Sequence, residues 1–349
     1  MTRRDVLALA GSLPAVLSST AASAQPSTGR RMGGTPTAFL AHVRAAREGG
    51  SPFDIVEHCH SMGLAGVQTN PPSLEPEAIR KFRDRLEAYK MHLVTDPRLP
   101  RNAGEIAAFE AQVKAHKEAG AVAFHAALTG RRYDEFAAFE PWKEMFLDRQ
   151  NQVQLAEPVL RKYKVPLGLE NHKGYRSAEQ AAWLKRLGSE WVGVCLDFGN
   201  NLSLCEDPLD TARTLAPYTV YAHIKDMAME EYEDGFLLSE VPFGEGVVDL
   251  PQIIAMLRKK DPNMIFNLEM ITRDPLKIPV FTPKYWATFD DAYSPLPGRD
   301  LAKILDLVHK HKPKQPLPRT AGLSAAQQLK LEDELNQKCA SYAHEHLGL

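Results

Sequence analysis

Short apolar or β-branched runs recur along this chain, each followed by a stretch whose apolar residues return every three or four positions. The runs are "AGVQTN" (65–70), "HLVTDP" (92–97), "AVAFHAAL" (121–128), "PLGLENH" (166–172), "VGVCLDFG" (192–199), "TVYAHIKD" (219–226) and "MIFNLEMI" (264–271). The helix-like blocks fall at about 75–90, 103–119, 140–164, 177–188, 207–216, 249–260 and 299–311. Runs of this length read as buried strands, and the three-to-four spacing reads as one face of a helix. Gly120, Gly188 and Pro217 punctuate helix ends, and Ser177, Asp207 and Asp249 are expected as N-caps. An eighth strand is needed before the helix at 52–62. "TAFLAHVR" (37–44) is the candidate, although its pattern also fits a helix. Eight strand–helix units over about 280 residues predict an α/β fold of the (β/α)8 TIM-barrel type. The barrel is expected over 35–312. The tail, 313–349, starts Pro-rich and then reads as one amphipathic helix that packs on the barrel or on a partner subunit of a homo-oligomer.

In such a barrel chemistry gathers at the C-terminal strand ends, and four consecutive strands end in ionisable residues. Strand five ends with Glu170 and His172, and strand six with Asp197 and Asn200. Strand seven ends with His223, Lys225 and Asp226, and strand eight with Glu269. Side chains alternate along a strand, and Glu170, Asp197, His223 and Glu269 can all be placed on the inward parity. Three carboxylates converging on one axis repel unless a cation neutralises them. Three oxygens and one imidazole suit one divalent ion: Mn²⁺, Mg²⁺ or Co²⁺, or alternatively Zn²⁺. Lys225 shares the inward parity, so it would meet a substrate oxygen or move a proton. Asp226 points outward and is expected to orient a neighbour or cap the following loop.

Composition narrows the setting. The chain has 349 residues, is 44% hydrophobic and 25% charged, and carries a formal net charge of −2. That balance gives no footprint for nucleic acid or an anionic membrane. Residues 1–24 pair Arg3 and Arg4 with an apolar stretch from about Val6 to Leu17 and an Ala22-Ser23-Ala24 cleavage site. This pattern predicts an export leader, and "TRRDVLAL" resembles a twin-arginine signal. The mature protein is therefore expected in the periplasm or otherwise exported, free of the membrane once the leader is cleaved. Cys59, Cys195, Cys205 and Cys339 form no C-x-x-C pair and read as free buried thiols.

The motifs "LENH", "LDFGN", "AHIKD", "FGEGVVD" and "LEM" together resemble the xylose isomerase-like TIM-barrel superfamily. They point to its sugar isomerase and epimerase branch, which includes tagatose 3-epimerase and inosose dehydratase. The resemblance implies that Glu170, Asp197, His223 and Glu269 form the metal set, with Glu170 and Glu269 also contributing to catalysis. It departs from the epimerases in one place. They carry a second glutamate shortly after the first ligand, where this chain reads "NHKGYRSAEQ", with Lys173 and Arg176. His172 or Lys225 would have to supply the acid–base instead.

Other stretches read as substrate contacts. These are Arg131, Arg132 and Tyr133 after strand four, Asn200 after strand six, and Glu245 between two glycines. Tyr285 and Trp286 belong to a long loop of the kind that often forms a lid. His125 reads as a satisfied core histidine. The expected function is a divalent-metal-dependent sugar isomerase or epimerase that removes a proton beside a carbonyl and passes through an enediolate. The alternative is a lyase or hydrolase acting on 3-keto-glycosides with the same site. A third reading is a non-catalytic exported sugar-binding protein. A DNA-repair nuclease on the same barrel is opposed by the charge balance and the leader.

Overall fold

The computed structural model describes residues 32–349. The expected leader lies outside the described residues. Eight parallel strands close a barrel: β1 (Met32–Gly34), β2 (Gly66–Gln68), β3 (His92–Thr95), β4 (Ala121–Ala126), β5 (Leu167–Glu170), β6 (Val192–Asp197), β7 (Thr219–Ile224) and, after two strands outside the barrel, β10 (Phe266–Leu268). Strand β1 closes the ring between β10 and β2. Helices follow the strands around the outside, as the apolar periodicity requires.

The first strand differs from expectation. It is the three-residue Met32–Gly34, while 37–44 runs through a 3-10 turn into the helix Leu40–Glu48. Pro36 favours a helix start, and Thr35 caps it by accepting from the Ala38 amide. "MGG" carries almost no apolar signal, because its glycines are selected by space inside the barrel. A Cβ on Gly33 would lie 2.4 Å from Asn267 Oδ1, and one on Gly66 would lie 2.1 Å from the His92 ring. Ser177 also departs from the expected cap. It is the first residue of the helix Ser177–Leu187, whose cap is Arg176, with Glu179 accepting from the Arg176 amide at 2.7 Å. Asp207 and Asp249 cap their helices as expected.

Beyond β7 the chain builds a small antiparallel sheet that the sequence pattern does not announce. Strands β8 (Asp226–Tyr232) and β9 (Gly235–Val241) form a hairpin, and β11 (Leu276–Ile278) joins β9. Asp226 anchors this excursion. Its carboxylate accepts from the amides of Met227, Gly244, Gly246 and Val248 at 2.8–3.1 Å. A Cβ on Gly246 would sit 2.2 Å from Asp226 Oδ1, which explains the glycine in "FGEG".

The tail helix Ala325–Tyr342 packs on the barrel's first helix. Buried Glu332 accepts from the amides of Ala41 and His42 at 2.7 and 3.1 Å, capping that helix from outside. All four cysteines are free and buried. No helix among the described residues is long and apolar enough to cross a membrane.

Asp226→Ala strands four backbone donors. It should lower the unfolding free energy by about 2–4 kcal/mol, measured by urea titration followed by circular dichroism. A loss under about 1 kcal/mol would mean that solvent satisfies those amides.

Candidate active site at the C-terminal mouth of the barrel

Strand register places the chemistry. Asp197 pairs with His223 and His223 with Asn267, so the tops of β6, β7 and β10 lie level. Glu170, Asp197, His223 and Glu269 each offer a ligand atom within 4.8 Å of the others, and all four are buried. Glu170, His223 and Glu269 line a cavity of about 400 Å³ with Gln68, Asp96, His125, His172, Lys173, Lys225 and Arg273, and Asp197 lies behind them, 2.7 Å from Lys225 Nζ.

Neighbouring groups fix each of the four. Gln68 Nε2 donates to Asp96 Oδ1 at 3.1 Å, which turns Gln68 Oε1 toward His223 Nε2 at 2.8 Å. A carboxylate can only accept, so His223 must donate from Nε2. His223 Nδ1 is thereby left as a lone pair, without a hydrogen-bond partner among the described residues and 3.7 Å from Glu269 Oε1. A lone pair facing a carboxylate is repulsive unless a cation stands between them.

Glu170 Oε1 accepts from Asn200 Nδ2 at 2.7 Å, and its Oε2 lies 3.1 Å from His125 Nε2. Asp197 Oδ1 accepts from the amides of Gly199 and Asn200 at 2.9 and 2.7 Å. Asn171 pins Asp197 from both backbone sides, accepting its N–H and donating to its carbonyl. Glu269 Oε1 accepts from Thr37 Oγ1 at 2.8 Å.

Lys225, just past β7, bridges the two neighbouring strands, with Nζ 2.7 Å from Asp197 Oδ2 and 2.6 Å from Glu269 Oε2. Burial alone would lower its pKa, but the carboxylates hold it above the ordinary lysine value, so it remains an ammonium. Negative charge is still in excess. Burial, with the charges of Glu269 and Glu170 added and Lys225 opposing, pushes Asp197 up to about 8. A carboxylate that prefers a proton here is a site short of positive charge. The unpartnered Nδ1 and the mixed oxygen–nitrogen donor set both fit a divalent ion.

Two groups stand out beyond the expected set. His125, read from sequence as a core histidine, links Asp96 (Nδ1–Oδ1, 2.5 Å) to Glu170. Burial disfavours its cation, but these two carboxylates outweigh that and raise it to about 10. Its inward parity on β4, level with Gly168, was the available signal. Lys173 is buried and donates to Asn200 Oδ1. Burial, then the charges of Lys225 and Arg273, lower it to about 8. His172 also lines the cavity. Burial and the charge of Lys173 bring it down to about 4, and its Nδ1 donates to the Thr129 carbonyl. The neutral ring therefore carries its lone pair on Nε2.

Most of the expected substrate contacts lie elsewhere. Arg132 is fully buried, stacked on Trp142 with 3.6 Å to the ring centroid. It is bonded to Thr288, Ser294 and Glu179, clamping the long loop after β11. Tyr133 and Tyr285 are buried with ring centroids 5.9 Å apart, and Tyr285 donates to the Ser203 carbonyl. Trp286 donates to the Val280 carbonyl within the same loop. Arg131 pairs with Asp134 at 3.2 Å. Glu245 lines a separate cavity of about 870 Å³ beside the tail helix. These residues pack the loops. Asn200 is at the site, where it orients Glu170 and accepts from the two lysines.

A closed parallel barrel with a converging carboxylate–imidazole cluster at its C-terminal mouth defines a TIM-barrel class of small-molecule enzymes. The chain belongs to the xylose isomerase-like TIM barrel family, whose model matches residues 45–287. It is 29% identical over 109 residues to 3-oxo-isoapionate decarboxylase of Pectobacterium atrosepticum, a match spanning 31% of this chain and 40% of that protein. It is 20% identical over 310 residues to the uncharacterized protein YihM of Escherichia coli, covering 86% and 87% of the two chains. In fold it is similar to D-psicose 3-epimerase, with a TM-score of 0.52, 14% identity, and coverage of 84% of this chain and 93% of that one. It is likewise similar to a D-tagatose 3-epimerase-like protein, with a TM-score of 0.51, 13% identity, and coverage of 80% and 98%.

In histidine-¹⁵N-labelled, metal-free protein at neutral pH, His223 should appear as the Nε2–H tautomer. Gln68→Leu should abolish that preference. A wild-type Nδ1–H tautomer would contradict the hydrogen-bond assignment.

Proposed function

We propose that the protein is a divalent-metal-dependent sugar isomerase of the isomerase/epimerase type, removing a proton beside a carbonyl. The observation that carries this reading is the convergence of three buried carboxylates and the His223 Nδ1 lone pair within 4.8 Å of one another, beside a cavity that also holds a neutral imidazole at His172. Glu170, Asp197, His223 and Glu269 would hold the ion, which when bound polarises neighbouring substrate oxygens and stabilises enediolate charge.

The protein's own groups supply the rest. His172, oriented by the Thr129 carbonyl, presents Nε2 as the base and returns the proton. Lys225, held charged by Asp197 and Glu269, and Lys173 beside it offer N–H donors to oxygens that become negative. Asn200 keeps Glu170 in place. Arg273 lines the cavity on the hairpin side, held 2.5 Å from Glu240.

A second reading, β-elimination or hydrolysis of 3-keto-glycosides, is favoured by a specific feature. Lys225 is tied to two carboxylates, and the stretch after Glu170 carries Lys173 and Arg176 where the epimerases carry a second glutamate, so we assign His172 alone as the base. Epimerisation needs a proton delivered to the opposite face, whereas isomerisation through a cis-enediol or elimination can run on one base. On the same proposal the protein acts outside the cytoplasm, a reading supported by the twin-arginine-like pattern of residues 1–24.

The test is turnover of metal-loaded protein against ketoses, aldoses and 3-keto-glycosides, followed by NMR in D₂O, with metal content measured in parallel. Deuterium at the carbon beside the carbonyl identifies isomerisation, and release of an aglycone identifies the second reading. Glu269→Gln should drop bound metal well below one ion per chain. His172→Ala should keep its metal and lose about 10²–10⁴-fold in kcat. Full metal content in Glu269→Gln, or near-normal kcat in His172→Ala, would overturn the corresponding role.

A further inference from the structure

A second cavity, about 470 Å³, abuts the candidate active site and shares Asp96, His125 and Ala127 with it. A molecule whose reactive carbon sits at the carboxylate cluster can extend into this space along the β3 and β4 loops. Its walls carry Arg98, Arg101 and Arg149, with Leu99 and Leu128 between them. Asp96 is the one carboxylate in the lining and is already engaged by His125 and Gln68, while Glu105 and Asp148 stand beside Arg101 and Arg149 outside it.

The three arginines are not equally committed. Arg101 is held by Glu105, with Nη2 to Oε1 at 2.7 Å and Nε to Oε1 at 3.1 Å. Arg149 is loosely held. Its Nε is buried without a hydrogen-bond partner among the described residues. Its nearest carboxylate oxygen, Asp148 Oδ2, is 3.6 Å from Nη1 and already accepts from Gln152 Nε2 at 2.8 Å. Arg98 is exposed, and its guanidinium makes no hydrogen bond or ion pair among the described residues, although its charge acts on the Glu105 carboxylate; its backbone amide is bonded to Gln112. A buried N–H left unpaired is costly, and a planar guanidinium is matched by a carboxylate or phosphate that takes two parallel hydrogen bonds.

We infer that this cavity is a subsite for an oxyanion carried by the substrate, so that the sugar handled here is an acidic one. Arg149 and Arg98 bind the anionic group, and Leu99 and Leu128 cover the apolar faces between it and the reacting carbon. The inference rests on the sugar-enzyme reading above and adds the substrate's charge.

Three matched sugars test it: a neutral hexose derivative, its uronate and its 6-phosphate. Each is assayed for turnover by the metal-loaded protein and, independently, for binding by calorimetry. At least one acidic sugar should bind and turn over about tenfold or more better than the neutral one. Preference for the uronate identifies a sugar acid, and preference for the phosphate a sugar phosphate. Arg149→Gln and Arg98→Gln should each reduce the acid-over-neutral ratio by about tenfold, and Arg149→Lys should recover part of it. Circular dichroism checks that the variants fold. Equal handling of the three sugars, or an acid preference that survives both glutamine variants, overturns the subsite. Turnover of neutral sugars without acid preference would sink the subsite alone. Arginine-dependent binding of the uronate without turnover of any sugar would support the subsite and sink the enzymatic reading.

Discussion

Glu170, Asp197 and Glu269 bring three carboxylates to the mouth of the barrel, with ligand atoms inside 4.8 Å. Two like charges about 4 Å apart cost about 4 kcal/mol even at an effective dielectric of about 20. Three such contacts rival the whole stability of a typical domain, about 5–15 kcal/mol. The cluster persists only because positive charge is built around it. Lys225 bridges two of the acids, and His125 leans on the third. The remaining shortfall shows in the proton affinity of Asp197. Much of the surrounding structure serves to hold these charges still.

That holding is done by neutral amides as much as by charges. Gln68, fixed by Asp96, decides which nitrogen of His223 faces the acids. Asn200 and Asn171 fix Glu170 and Asp197, and both lie one to three residues past a strand end, where the chain first leaves the barrel wall. Asp226 acts at longer range. By gathering four amides it ties the segment after β9 to the start of β8, at the base of the hairpin whose Glu240 pairs with Arg273 of the cavity wall.

Lys173, Lys225 and Arg273 line the cavity beside the neutral imidazole of His172. Membership in the xylose isomerase-like family makes a sugar-modifying enzyme the natural reading. The proposed one-base chemistry and the adjoining arginine-lined space direct the question of substrate to its charge and its leaving group.

Much of this was legible in the sequence. Alternation along a strand is a strict period of two, so Glu170, Asp197, His223 and Glu269 could be set on one inward face from their spacing alone. The strand–helix rhythm gave seven of the eight barrel strands, and Asp226 was already marked as a loop anchor. The rest needed the tertiary structure, because it depends on contacts between distant segments. Strand β1 is chosen by its lack of side chains, a property that only the crowded interior near His92 and Asn267 explains. His125 became part of the site only when Asp96 and Glu170 were seen on either side of it. Arg132, Tyr133, Tyr285 and Trp286 have the chemistry of sugar contacts but spend it on packing their own loops, and Glu245 faces the tail helix. A side chain's chemistry and its strand parity are local, and the sequence determines them. Whether an exposed-looking aromatic or arginine meets substrate or a neighbouring loop depends on where the loops fall, and only the folded chain decides that.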